Sequence, residues 1–141
     1  QNGISLEMTS YLWSFGVVCE ILMLYYQAPL FKNNLLSILK ICVSITIFRW
    51  LLLYLYPDSL SMTFFSQSLH AFSFGLYHSA VIMFLYTLYE NKKLAQQFMY
   101  GVAYGLGGFI GALVAGYVYG EYLFIFSAIF ALISLISLFL I

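Results

Sequence analysis

Four ionisable side chains stand inside segments that are otherwise apolar enough for lipid: Glu20, Arg49, His70 and His78. An ionisable group at membrane depth costs about 2.5–3.5 kcal/mol on insertion scales, so such groups indicate functional sites. The guanidinium of an arginine keeps its proton, whereas a histidine exchanges a proton near neutral pH. An acid, a fixed cation and an imidazole together can couple the uptake of a proton to a change of shape.

The position of each group along its segment predicts its depth. Counted at about 1.5 Å per residue from the predicted start of its helix, Glu20 lies roughly 13–14 Å deep, near the middle of a hydrocarbon core about 30 Å thick. Arg49 and His70 come to a similar depth on the next two segments. His78 lies two turns nearer the cytoplasmic end of the third segment. We therefore expect the first three groups to share one level of the membrane.

Two interpretations of Glu20 and Arg49 remain open. In the first, Glu20 binds or releases a proton as its pairing with Arg49 changes. In the second, the two charges form a structural ion pair that pins two helices. For each histidine, the alternative is a structural role in the core, with its hydrogen-bonding groups satisfied there. Five further polar residues fit either a cavity-facing stripe or interhelical hydrogen bonds: Ser66, Gln67, Ser68, Ser73 and Tyr77.

The composition requires lipid as the solvent. Of the 141 residues, 64% are hydrophobic and 7% are charged, and the mean hydropathy is +0.97. A soluble domain of this size needs a more polar exterior, so we expect an all-α integral membrane protein in contact with the lipid bilayer. The net charge of zero gives no indication of a nucleic-acid partner. Neither a metal-ligand cluster nor a catalytic triad stands out, so we predict no cofactor, no metal and no enzyme activity.

The apolar runs predict five transmembrane helices in a single membrane domain that covers residues 1–141. A polar stretch, Gln1–Ser10, precedes the first of them. The helices are expected at residues 11–31, 35–56, 59–89, 95–119 and 122–141.

The basic residues predict the orientation of these helices. Lys32 and Lys40 flank one loop, Lys92 and Lys93 occupy another on the same side, and the opposite loops in the sequence carry no lysine or arginine. The positive-inside rule places the basic loops in the cytoplasm, the N-terminus outside and the C-terminus inside. An outside N-terminus without a targeting signal predicts that earlier helices are missing.

The fourth segment is rich in glycine, with spacings such as Gly101-x-x-x-Gly105 and Gly107-x-x-x-Gly111. This spacing favours close helix packing in membranes, and a hinge is the alternative. The glycines predicted to serve in packing or as a hinge are Gly101, Gly105, Gly108, Gly111 and Gly116.

Four stretches together resemble the 3-phenylpropionate permease-like branch of the major facilitator superfamily. They are LWSFGVVCEI at Leu12–Ile21, RWLL at Arg49–Leu52, LHAFSFG at Leu69–Gly75 followed by His78, and YGLGG at Tyr104–Gly108. The resemblance implies the last five of twelve helices, whose partners are the missing N-terminal helices of the same protein. It also implies proton-coupled symport of a small organic solute by alternating access, in a bacterial inner membrane. The alternative function is a non-transporting structural or assembly subunit.

The related lactose permease family is similar in placing an acid, an arginine and a histidine on its eighth, ninth and tenth helices. By that analogy Glu20, Arg49 and His70 carry proton coupling. Two features depart from the pattern. The loop motif after the eighth helix survives only as Pro29–Asn33, and the second acid expected one turn past the histidine is absent, since Phe74 and Gly75 follow His70.

Overall fold

The computed structural model describes residues 5–32, 34–120 and 122–140, and these residues form five long helices and no strand. Four of the helices are long and apolar enough to cross a membrane, and the fifth is an apolar helix of 17 residues. The predicted all-α membrane architecture is confirmed. In chain order the helices are α1 (Leu6–Tyr26), α2 (Leu35–Leu55), α3 (Leu60–Leu88), α4 (Lys92–Tyr117) and α5 (Leu123–Phe139).

Short polar side chains begin four of these helices. The Ser5 hydroxyl accepts a hydrogen bond from the backbone N–H of Met8 at 3.1 Å, and Asn34, Ser59 and Asn91 cap α2, α3 and α4 in the same way. Each cap satisfies a backbone donor that has no partner within the first turn. The caps therefore define where the chain enters each helix.

The first helix begins five residues before the predicted start near Tyr11. Ser5 provides the cap, and the Glu7 carboxylate lies in the first turn, where it interacts favourably with the positive end of the helix dipole. The Tyr11 hydroxyl donates to Glu7 at 3.4 Å. These polar residues belong to the helix, although their hydropathy suggested a loop. Residues 1–4, also predicted as loop, lie outside the described part of the chain.

The same helix ends at Tyr26 rather than near residue 31. Pro29 lacks an N–H and disfavours helical geometry in the residue before it, and the chain continues as a short 3₁₀ turn over Leu30–Lys32. At the other end of the chain, α4 begins at Lys92, three residues before the predicted start, because Asn91 caps it. The predicted end of the fifth helix at Ile141 falls outside the described residues.

The outer surface of the bundle is apolar. Trp13 is 71% exposed and Phe98 is 72% exposed, which is the arrangement expected for side chains that face lipid. Several serine and threonine hydroxyls donate within their own helix. Ser44 donates to the carbonyl oxygen four residues earlier at 2.8 Å, and Thr46 and Ser127 do the same. Such back-bonding removes the cost of an unpaired hydroxyl in hydrocarbon.

The second helix occupies the centre of the packing. It lies along α5 and against α3, while α1 packs against the first half of α3. Its buried residues form a core with α3, and this core fixes the rotation of the two helices that carry Arg49 and His70. The core consists of Ile38, Leu39, Cys42, Leu76 and Ala80.

Two helices contain a π-helical segment, Ala71–Leu76 in α3 and Tyr100–Leu106 in α4. A π turn adds a residue to one turn and so changes the direction of the side chains around it, and such turns are frequent at functional sites. The first segment follows His70 directly, and the second begins with a tyrosine that contacts His78. Both segments therefore help to aim the predicted site residues.

Candidate functional site

The first and third helices bring Glu20 and His70 together. His70 Nε2 lies 3.9 Å from Glu20 Oε2, and the two side chains are 30% and 20% exposed. Glycines allow this approach, because a Cβ added at Gly75 would lie 3.1 Å from Glu20 Cγ. The distance is that of an ionic contact and exceeds a full hydrogen bond. An acid and an imidazole at this separation can exchange a proton after a small movement.

Arg49 does not pair with Glu20. The Arg49 Nη1 group donates to Ser73 Oγ at 3.2 Å, and the Ser73 hydroxyl lies 3.4 Å from the backbone oxygen of His70, to which it donates. The guanidinium carbon also lies 4.7 Å from the centre of the Trp50 ring. Within the described residues, no carboxylate lies within 4.0 Å of the guanidinium, and its Nε atom has no hydrogen-bond partner.

The ion pair between Glu20 and Arg49, the structural alternative for these two charges, is not formed. Arg49 bonds Ser73 and Glu20 contacts His70 instead. That Glu20, Arg49 and His70 share one level of the membrane stays a prediction.

The fourth predicted residue, His78, belongs to a separate cluster. Its Nδ1 atom lies 2.7 Å from the Tyr104 hydroxyl, and its Nε2 atom lies 3.1 Å from the Tyr100 hydroxyl. A column of stacked rings links the two clusters along one face of α3. The His70 and Phe74 ring centres are 5.4 Å apart, and those of Phe74 and His78 are 6.2 Å apart.

A comparison with protein families identifies the class of protein that carries this geometry. The model of the MFS_1 like family matches residues 1–130. The chain belongs to the MFS_1-like family. It is therefore an MFS-type membrane protein, and the superfamily part of the resemblance is confirmed. No curated protein matches the chain, and no solved structure matches it.

The hydropathy of the sequence gave no indication that Tyr100 and Tyr104 are site residues. Their spacing of four residues was visible in the sequence, and it places two hydroxyls on one helical face. Ser73 was predicted either to face a cavity or to form an interhelical hydrogen bond. Its hydrogen bond with Arg49 is interhelical. Among the described residues there is no group of three or more side chains that could hold a metal ion.

Most glycines of α4 stand in open space in the described part of this MFS_1-like chain, except Gly107, where an added Cβ would lie 3.3 Å from the Val102 backbone oxygen. No heavy atom lies within 4 Å of a Cβ built at Gly101, Gly108, Gly111 or Gly116, and at Gly105 the nearest atom is at an ordinary 3.9 Å. A cavity of about 450 Å³ separates this part of α4 from α5 and Trp50. Close packing against a further helix and a hinge role both stay predictions.

The contact between α1 and α3 yields a stability prediction. In Gly75→Ala the new methyl group meets Glu20 Cγ at 3.1 Å, whereas in Gly16→Ala it meets Gln67 Oε1, the end of a flexible side chain, at 3.1 Å. Overpacking costs about 1–3 kcal/mol when the neighbour cannot move. We expect Gly75→Ala to lower the thermal unfolding temperature in detergent and Gly16→Ala to leave it nearly unchanged. Equal temperatures for the two variants would contradict the close approach at Gly75.

Proposed function

We propose that this chain is part of a proton-coupled symporter of the 3-phenylpropionate permease-like branch, which moves a small organic solute by alternating access. The observation that carries the proposal is the contact of 3.9 Å between Glu20 and His70. These are two groups able to carry a proton, on two helices, inside segments that face lipid. Membership in the MFS_1-like family supports a transport function for them.

The contact supplies a mechanism for coupling. While α1 and α3 are close, the Glu20 carboxylate can be compensated by a protonated His70. When the helices move apart, an unpaired carboxylate in a low-dielectric region is far more costly than a neutral carboxylic acid, so Glu20 binds a proton. Movement of α1 against α3 would then alternate with protonation of Glu20, as alternating access requires.

Arg49 has a different part in this proposal. It is 8% exposed and is held by Ser73 and the Trp50 ring rather than by an acid. Its positive charge is therefore fixed in the bundle. The guanidinium faces the Ser73 hydroxyl, which in turn lies beside the backbone oxygen of His70. We infer that Arg49 acts by positioning, because it holds Ser73, whose hydroxyl donates to the backbone oxygen of His70.

The chain would supply the last five helices of a twelve-helix transporter in a bacterial inner membrane, with seven earlier helices of the same protein as its partners. The placement of Lys32 and Lys92 at loops on one side supports a cytoplasmic position for those loops. Transporters of this kind bind solute near the bilayer midplane, between helices of the two repeats. Glu20, His70 and His78 would then lie along one wall of the pathway.

A reconstitution experiment tests the proposal. The complete protein that contains this chain is placed in liposomes, a pH gradient of one unit is imposed, and the membrane potential is clamped at zero. We expect 3-phenylpropionate to accumulate inside, up to about tenfold per coupled proton, since one pH unit corresponds to a factor of ten. Protein-free liposomes correct for the passive entry of this weak acid.

Lactose and uridine serve as additional probes, since they represent a sugar and a nucleoside. Uptake of one of these instead of 3-phenylpropionate would keep symport and reject the branch. Uptake of a probe that does not respond to the pH gradient would reject proton coupling. If none of the three probes enters faster than in protein-free liposomes, the proposed symport is wrong.

A further inference from the structure

The second half of α4 has little support from the other helices. Among the described residues, none of those in Gly107–Tyr117 is buried, and their main contacts are with the π segment of the same helix. The first half, Lys92–Met99, packs instead against the second half of α3. Few contacts and high exposure mark the parts of a fold that move most easily. The second half of α4 is therefore held to the bundle chiefly through the segment that precedes it.

That preceding segment is the π-helical stretch Tyr100–Leu106. Sharp bends in helices occur at a few kinds of site, and a π bulge is one of them. The segment also contains Gly101, where an added Cβ would meet no heavy atom within 4 Å. The neighbouring helices therefore leave space for a bend at this point of α4.

The second half of α4 also has room to move towards α5. The cavity of about 450 Å³ lies between them, next to Trp50. On the α4 side it is lined by Gly107, Gly111 and Ala115, whose spacing of four residues places them on one helical face. Small residues on one face allow two helices in a membrane to approach closely. A movement of α4 into the cavity would therefore bring a suitable face against α5.

One side chain of α3, His78, bonds to two residues of the π segment. Its Nδ1 atom lies 2.7 Å from the Tyr104 hydroxyl, and its Nε2 atom lies 3.1 Å from the Tyr100 hydroxyl. A neutral imidazole has one N–H donor and one acceptor nitrogen, and a tyrosine hydroxyl can either donate or accept. Both bonds therefore form whichever ring nitrogen carries the proton. They tie the first turn of the π segment to α3.

We propose that the π segment Tyr100–Leu106 is a hinge, about which the second half of α4 moves towards α5 and closes the cavity. His78, through its bonds to Tyr100 and Tyr104, is the clasp that restrains this movement. Loss of one tyrosine hydroxyl removes one bond of the clasp, while the ring contacts with His78, at 5.7 Å between ring centres, can remain. The movement requires no solute, so it is independent of the proposed transport function.

The distance between α4 and α5 tests the hinge. Genetically encoded spin-label residues are placed at Leu113 and Ile129, which are 60% and 46% exposed, in the complete protein in lipid vesicles. Double electron–electron resonance then gives the distribution of distances. In Tyr104→Phe we expect the population at shorter distances to rise about fivefold, the effect of one lost hydrogen bond. In His78→Phe we expect a larger rise, because both bonds are lost while an aromatic ring remains.

Two controls accompany this measurement. Tyr25→Phe, at a tyrosine 78% exposed on α1, should leave the distribution unchanged. A second pair of labels at Ile41 and Ile136 reports on α2 and α5, which lie along each other, and should keep its distance in every variant. An unchanged distribution for the first pair in Tyr104→Phe would overturn the clasp. A shift to longer distances, or an equal change in both pairs, would overturn the hinge.

Discussion

Replacement of Glu20 by glutamine is expected to abolish proton-driven accumulation of 3-phenylpropionate and to leave exchange down a gradient intact. The amide keeps the size of the side chain and its place beside His70, 3.9 Å away in the native protein, but it cannot bind and release a proton. With one coupled proton, a gradient of one pH unit supports about tenfold accumulation. We expect this ratio to fall to that of protein-free liposomes.

Glu7→Gln is the matched control for this change. Glu7 lies on the same helix, in an exposed first turn, where its carboxylate accepts from Tyr11. Removal of that charge is expected to leave the accumulation ratio unchanged. Exchange of labelled for unlabelled solute in Glu20→Gln shows that the variant is folded. Accumulation at the native level in Glu20→Gln would reject the coupling role of this residue.

The second large effect is expected at Arg49. In Arg49→Met the accumulation of solute should be lost, while the free energy of unfolding should stay the same or rise by about 1–4 kcal/mol. Replacement of buried ion pairs by well-packed apolar residues of similar volume often has that effect on stability, because it removes the desolvation penalty of the charges. Arg49 is 8% exposed, and among the described residues its Nε atom has no partner, so its burial is costly in the native protein.

Lys40→Met provides the comparison for Arg49→Met. Lys40 lies on the same helix, and its ammonium group sits 4.2 Å from the Phe139 ring rather than at the site. The loss of this charge should leave accumulation intact. The decisive pair of measurements is thermal unfolding and uptake on the same preparations. A strongly destabilised Arg49→Met that still accumulates solute would show that Arg49 serves the fold and not the coupling.

The sequence predicted the number and order of the helices because long apolar runs leave the chain few alternatives in lipid. It misplaced the start of α1 because hydropathy took no account of the cap at Ser5 and the acidic first turn at Glu7. That difference of five residues places Glu20 about 7.5 Å further from the start of its helix than predicted.

Part of the site could also be predicted from the sequence. The spacing along each helix placed Glu20 and His70 close enough in depth to meet, and they do. The partner of Arg49 could not be read from spacing, because the bond to Ser73 depends on how α2 and α3 are rotated and on the π turn over Ala71–Leu76. The two tyrosines around His78 depend on a second π turn in the same way.

The bond between Arg49 and Ser73 also bears on how the protein enters the membrane. During synthesis α2 leaves the ribosome before α3, so its guanidinium first meets the translocon without Ser73. An arginine at the centre of a helix opposes insertion by about 2.5–3.5 kcal/mol, and each leucine or isoleucine favours it by roughly 0.3–0.6 kcal/mol. The connection from Leu55 to Leu60 is short. The two helices are therefore suited to insertion as one hairpin, in which the charge is covered as it leaves the translocon.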